Sequence, residues 1–285
     1  MSSKPKLLDE PITKADLEEF IKTQDDFALE LYAYSLAREL GFTTTHAGSY
    51  TDRVTGKTRQ FDVRASRACG RNFHVHFAIE CKCLRPSFPL LISQIPRLPA
   101  ESYLEVLHGR GEMHRYPPVA VSPKIDRLDG VKSLYPPNQY VGKASIQVGK
   151  DSKGFSANDS EIFDKWGQAI ASANDLIVNA TWLNRQESII LPVLVVTDGT
   201  LWVVNYAEEG SRQEGPTQVD EVKFFIGNQQ NFEKNPIFSY TISHLHVVTK
   251  SGLSNLLQRF MTGGQDFLHL YPPLPELDYD EIEPL

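Results

Sequence analysis

The sequence predicts an α/β protein, a central mixed β-sheet flanked by helices, and three observations carry that expectation. Helical periodicity of apolar residues runs over Asp25–Leu40 and again over Ser160–Ile177. Ile189–Thr197 is almost wholly aliphatic, as a strand buried on both faces should be. Between the first helix and that run, two strand-like segments flank a Gly70-Arg71-Asn72 turn. At 285 residues, 41% hydrophobic and 23% charged, the chain can build one large domain or two small ones. We expect a single domain over 1–285: a core of about 25–83 and 159–261, an insertion of about 84–158, and an acidic tail of about 273–285.

The first helix places Phe27, Leu31, Tyr34 and Ala37 or Arg38 on one stripe, and Gly41 just past Leu40 stops it. Glu30 falls inside that stripe. A carboxylate facing a core is costly unless it is paired or holds a metal; the alternative is that Glu30 lies at the stripe's edge and reaches solvent. Phe42–His46 reads as a first strand.

The next two strands form a hairpin. A three-residue loop at Gly70–Asn72 sets a register in which Asp62 faces Glu80, with directly opposed β-carbons about 5 Å apart. On the second strand Phe73, Val75, Phe77, Ile79, Cys81 and Cys83 point one way, and His74, His76, Ala78, Glu80 and Lys82 the other. Two facing carboxylates repel, so a cation should sit between them. A hard divalent ion such as Mg²⁺ fits, held by one or two carboxylates and water, with Lys82 beside its water shell. The plainer alternative is a cross-strand ion pair in which Lys82 neutralises one acid on a solvated sheet face.

Downstream, Ser160–Ile177 sets Ile162, Trp166, Ala169, Ala173 and Leu176 on one face, with Asp159 or Ser160 as cap and Lys165, Gln168, Ser172 and Asp175 as a polar flank. After Ile189–Thr197, an Asp198-Gly199 turn leads to Leu201–Tyr206, expected to pair back antiparallel. Phe224–Met261 suggests a further strand or two and a short final helix.

An acid on one strand and Glu-x-Lys on the next resembles the signature of the PD-(D/E)XK nuclease superfamily, and the helix, strand, strand, strand, helix, strand order resembles its restriction-endonuclease-like core. The resemblance covers roughly Asp25–Lys82 and Ser160–Tyr206. Phe61 stands where that family usually has proline before the first acid. It implies Mg²⁺-dependent cleavage of nucleic acid, Mn²⁺ substituting, with Asp62, Glu80 and the Cys81 carbonyl as metal ligands and Lys82 as the catalytic lysine. Glu30 would contribute from the first helix, and Gln168 would lie near the phosphate from the second. DNA is expected over RNA, an endonuclease is the favoured form, and restriction or antiviral defence is the setting implied. A homodimer or a partner protein is left open. The alternative is an inactive nuclease-fold subunit that binds nucleic acid beside a partner ATPase or sensor, because no nucleotide-binding glycine loop is present; Gly109-Arg110-Gly111 follows no convincing strand.

The formal charge of −7 sits oddly with a polyanionic partner until its distribution is read. Between Asp52 and Arg97 stand Arg53, Lys57, Arg59, Arg64, Arg67, Arg71, Lys82, Arg85 and Arg97 against Asp52, Asp62 and Glu80. All but Lys82 and Arg97 are candidate nucleic-acid contacts, although a basic loop that is merely solvated would show the same excess.

The insertion is rich in proline and is expected to hold only a short helix near Ala100–His108 and a mobile basic loop over Tyr140–Gly154 with Lys143, Lys150 and Lys153. His74-x-His76 and His244-x-His246 could in principle form another kind of metal centre, or simply line polar strand faces. Three cysteines fit buried thiols in a reducing compartment better than zinc or a disulfide. No apolar run reaches membrane-spanning length and Met1–Glu10 lacks a signal peptide's apolar core, so a cytoplasmic location away from membranes is expected. The acidic Pro273–Leu285 reads as a solubilising tail, with an interaction tail or nucleic-acid mimic as the alternative.

Overall fold

The computed structural model describes residues 9–23, 25–69, 73–108, 124–130, 133–152, 154–158, 160–180, 187–232 and 235–262. The Gly70-Arg71-Asn72 turn, Gly109-Arg110-Gly111, Lys153, Asp159 and the acidic tail lie outside them.

The elements run α1 (Lys14–Thr23), α2 (Asp26–Glu39), β1 (Thr43–His46), β2 (Ser49–Thr51), β3 (Thr58–Gln60), β4 (Val63–Ala68), β5 (Phe73–Lys82) and β6 (Leu90–Pro96). A 3₁₀ turn at Pro99–Glu101 precedes β7 (Tyr103–His108), β8 (Lys124–Asp129), β9 (Tyr140–Asp151), β10 (Gly154–Asn158) and α3 (Ser160–Ala180). Then follow β11 (Glu187–Val196), β12 (Leu201–Asn205), β13 (Thr217–Gln218), β14 (Glu221–Phe232), β15 (Asn235–Thr249) and α4 (Lys250–Thr262). The α/β class is observed: a large mixed sheet of thirteen strands, with helices on both faces.

Its main path is β1-β4-β5-β11-β15-β14-β9-β6-β12-β13. β1, β4 and β5 form an antiparallel meander, and β11 lies parallel to β5 along its whole length. Val63 faces Ile79 and Ala68 faces His74, the expected register. On one sheet face, Leu29, Ala33 and Ala37 of α2 and Leu253, Leu256, Leu257 and Phe260 of α4 pack on Val63, Ala65, Phe77 and Ile79. On the other, Ile162, Trp166, Ala169, Ala173 and Ile177 of α3 cover Ala78, Ile190, Leu194, Leu245 and Val247. Leu90, Ile92, Leu201 and Val203 from the far end of the path join Leu194 and Val196 in one core, so the sheet curls back on itself.

Several expectations change. The buried face of α2 is Leu29, Ala33 and Ala37, whereas Phe27 and Leu31 are exposed. The insertion is strand-rich: β6 and β9 are paired members of the large sheet, Tyr103–His108 is a strand after a 3₁₀ turn, and Tyr140–Asp151 is a strand hairpinned to β10. β12 does not pair with β11, because β5 and β15 already occupy that strand's two edges; it runs parallel to β6 instead. Helix α1 was not foreseen, although Thr13 and Asp16 cap it reciprocally, Asp16 accepting from the Thr13 N–H at 2.8 Å and Thr13 Oγ1 from the Asp16 N–H at 3.3 Å. Among the described residues, no helix is long and apolar enough to cross a membrane.

Candidate functional site

Asp62 and Glu80 meet at the point where β4 begins and β5 ends, beneath the first turns of α3. Asp62 precedes β4 in a bend, and its Oδ2 accepts from the Cys81 N–H at 2.7 Å. The Asp62 N–H donates to Glu80 Oε1 at 3.4 Å. The cation between them is Lys165 of α3, whose Nζ lies 2.9 Å from Asp62 Oδ2 and 3.3 Å from Glu80 Oε2.

The face was expected to be solvated or metal-bound; α3 covers it and supplies an ammonium. Glu80 is fully buried. Burial, then the charge of Asp62, push its carboxyl above the ordinary glutamate value, and Lys165 only partly offsets this. Burial alone would lower the Lys165 ammonium, but attraction to Asp62 and Glu80 wins and holds it well above the ordinary lysine value.

A third carboxylate stands close by. Glu30 Oε2 is 3.1 Å from His46 Nε2 of β1, and burial followed by the Asp62 charge raises its carboxyl, with His46 and Lys165 opposing. Glu30 is thus half-buried and paired at the edge of the buried stripe of α2, within electrostatic reach of Asp62 and Lys165. Cys81 turns its thiol into the opposite core, where burial and then Asp62, Glu30 and Glu80 push it up. Its N–H points to Asp62, and in a strand the carbonyl of the same residue leaves by the same edge.

Lys82 lies elsewhere than expected. Its Nζ is 3.3 Å from Asp26 at the start of α2 and 3.5 Å from Glu161 at the start of α3, so it ties the two helix N-termini together rather than the two strand acids. Gln168 lies half-buried one turn beyond Lys165, and its backbone carbonyl accepts from the Tyr50 hydroxyl at 3.4 Å.

The basic residues divide sharply. Arg64 is held inside, 2.9 Å from Asp175, 3.2 Å from both Ser172 Oγ and the Ser172 carbonyl, and stacked 4.1 Å over Phe61. Arg67 donates to the Leu40 carbonyl at 2.9 Å and contacts the Met261 sulfur on the far side of the sheet. Arg59 pairs with Asp52 at 2.7 Å. Arg53, Lys57 and Arg85 are exposed, and Arg71 lies outside the described residues. The positive segment therefore presents fewer charges to solvent than its count suggests.

The histidine pairs do not converge. His76 faces α3, whereas His246 on β15 bonds Glu221 at 3.1 Å and the Tyr135 hydroxyl at 2.9 Å on the opposite face. All three cysteines are free, Cys69 and Cys81 buried and Cys83 partly so.

Sequence reasoning missed Lys165 as the cation and His46 as the partner of Glu30. A signal for Lys165 existed: Lys165, Gln168, Ser172 and Asp175 recur on one side of α3, and Lys165, Ser172 and Asp175 each meet a side chain of the β4–β5 edge. Whether the donors suit Mg²⁺ can be judged from their chemistry. Asp62 and Glu80 offer hard oxygens already sharing one cation, which matches a two-carboxylate site completed by water and substrate. Among the described residues, no group of three or more His, Cys, Asp or Glu side chains forms a ready-made metal cage. No family model, curated protein or solved structure matches the chain.

Proposed function

We propose that this protein is a metal-dependent nuclease that hydrolyses phosphodiester bonds of nucleic acid, DNA above all, at Asp62 and Glu80. The observation that carries the reading is the convergence of these two carboxylates on a single cation at the meeting point of β4, β5 and α3. The meander β1-β4-β5 followed by α3 and a parallel β11 also agrees with a restriction-endonuclease-like core.

Asp62, Glu80 and the Cys81 carbonyl would hold Mg²⁺, which when bound lowers the pKa of water and neutralises charge on the phosphate. Glu30 adds negative charge to the same corner, directly or through water. Lys165 is held as the ammonium, so it acts as a donor and counter-charge to a phosphoryl oxygen rather than as a base. Lys82 fixes the N-termini of α2 and α3, and so positions Lys165 through α3.

The test is cleavage of plasmid, linear duplex and single-stranded DNA with Mg²⁺ or Mn²⁺ by wild type, Asp62→Asn and Lys165→Ala. Each substitution should cut the rate by about 10²–10³-fold, the scale for one electrostatic group aimed at developing charge. Equal rates in all three proteins would overturn the assignment. A second reading is favoured by Lys165 itself, which already satisfies both acids: a binding subunit that keeps the fold without the chemistry. Binding with no cleavage by wild type under either metal would establish it.

A further inference from the structure

Strands β2 and β3 form a two-stranded sheet of their own, apart from the large one. The base of this arm is rooted in the site. Phe61 N–H donates to the Gly48 carbonyl and Ala47 N–H to the Asp62 carbonyl, both at 2.9 Å. A β-carbon at Gly48 would stand 2.4 Å from the Phe61 ring, so any side chain there would have to displace that ring. Buried Tyr50 packs 5.4 Å under Arg64 and donates to Gln168 on α3, the helix that also carries Lys165.

The tip is locked. Asp52 is only 5% exposed although it lies at the end of the arm. Its Oδ1 accepts from the N–H groups of Val54 at 3.0 Å and Thr55 at 3.3 Å, and its Oδ2 from Arg59 Nε at 2.7 Å. Gly56, at φ 66°, donates back to the Asp52 carbonyl at 2.7 Å. These bonds turn the one acid of the arm inward and leave Arg53, Val54 and Lys57 facing out, Val54 at 77% exposure. From Gly48 to Asp52, where the turn begins, the arm extends roughly 13 Å at about 3.3 Å per residue.

We propose that this ribbon enters the major groove of B-form duplex DNA while a phosphodiester of the same duplex lies against the corner where Asp62 meets α3. The inference rests on the nuclease reading and names its substrate class. A B-form major groove, about 12 Å wide and 8.5 Å deep, admits a two-stranded ribbon. The deep, narrow major groove of A-form RNA does not, and a single strand has no groove. Lys57 is placed for a phosphate, and the apolar apex at Val54 for a thymine methyl.

Binding is measured by fluorescence anisotropy with the full chain, without divalent metal, on a short DNA duplex and an RNA duplex of the same sequence. Wild type should prefer the DNA duplex by about tenfold, the worth of one or two groove contacts, and Val54→Asp with Lys57→Glu should bring the ratio toward one at unchanged melting temperature. Asp52→Ala separates shape from charge: it removes an acid, which favours any polyanion, yet by unlocking the tip it should lower the DNA-to-RNA ratio. Equal binding of the two duplexes by wild type, or a ratio that survives both variants, would overturn the arm's role. Because this readout needs no cleavage, absence of hydrolysis in the preceding assay would overturn the nuclease reading alone, and a missing preference in a cleaving enzyme would overturn the arm alone.

Discussion

Lys165 lies between two carboxylates, one of them wholly buried, and that arrangement makes stability and metal binding report on the same atoms. Replacing the ammonium by an apolar chain leaves Glu80 and Asp62 facing each other without a cation. Lys165→Met should therefore cost the metal-free protein about 3 kcal/mol, the scale for breaking a buried pair from one side. Mn²⁺ should restore much of that loss and stabilise the variant more than wild type, as thermal melts with and without metal would reveal; equal stabilisation of the two proteins would mean no cation site exists there. Glu80 adds a pH signature. Its folded carboxyl titrates above its unfolded one, so its contribution is fully present below the ordinary value of 4.5 and is lost as pH rises through the raised range. Metal-free wild type should lose stability relative to Glu80→Gln as pH climbs from 4.5 toward neutrality, measured by urea melts across that range. A difference that stays flat with pH would contradict the raised carboxyl.

At the scale of elements, α2 separates size from burial. Its large residues Phe27 and Leu31 are exposed, while Leu29, Ala33 and Ala37 lie against the sheet, because two alanines let the helix axis approach β4 and β5 closely. Periodicity located the helix, its end at Gly41 and the core-packed Tyr34 and Ala37, but weighting by side-chain bulk added Phe27 and Leu31, which face outward. Ala33→Leu should then cost about 1–3 kcal/mol by overpacking, whereas Leu31→Ser should fall within about 0.5 kcal/mol of wild type; chemical denaturation of both variants tests the assignment, and the reverse order would restore the bulky stripe. The Asp198-Gly199 signal failed for a different reason. The turn is present, with Gly199 at φ 75°, but a strand saturated on both edges has no place for a hairpin partner. The strands of the insertion were hidden because β9 alternates in burial over a polar stretch and prolines punctuate the ends of β6 and the 3₁₀ turn, marks that read equally well as loop.

For the whole molecule, the hairpin register, the two main helices and the buried central strand were legible because each follows from a short period within its own segment. The partner of each charge was not, since Lys165 meets residues 85 and 103 positions away and Arg64 meets Ser172 108 positions away. The same blindness inflated the basic segment: Arg64, Arg67 and Lys82 bind within the protein, Arg97 is 1% exposed, and Arg59 shares its charge with Asp52. Among the described residues of that segment, Arg53, Lys57 and Arg85 are exposed, on a chain whose net charge is −7. Under the proposed function, long-range attraction to DNA is therefore weak, and affinity would come from a few local contacts. With roughly three to four phosphates neutralised at about 0.9 each, the logarithm of DNA affinity should fall against the logarithm of salt with a slope of about −3. Lys57→Ala should make the slope shallower by about one unit. Anisotropy titrations of one DNA duplex across a salt series would measure both, and a slope unmoved by Lys57→Ala would place the phosphate contacts on another surface.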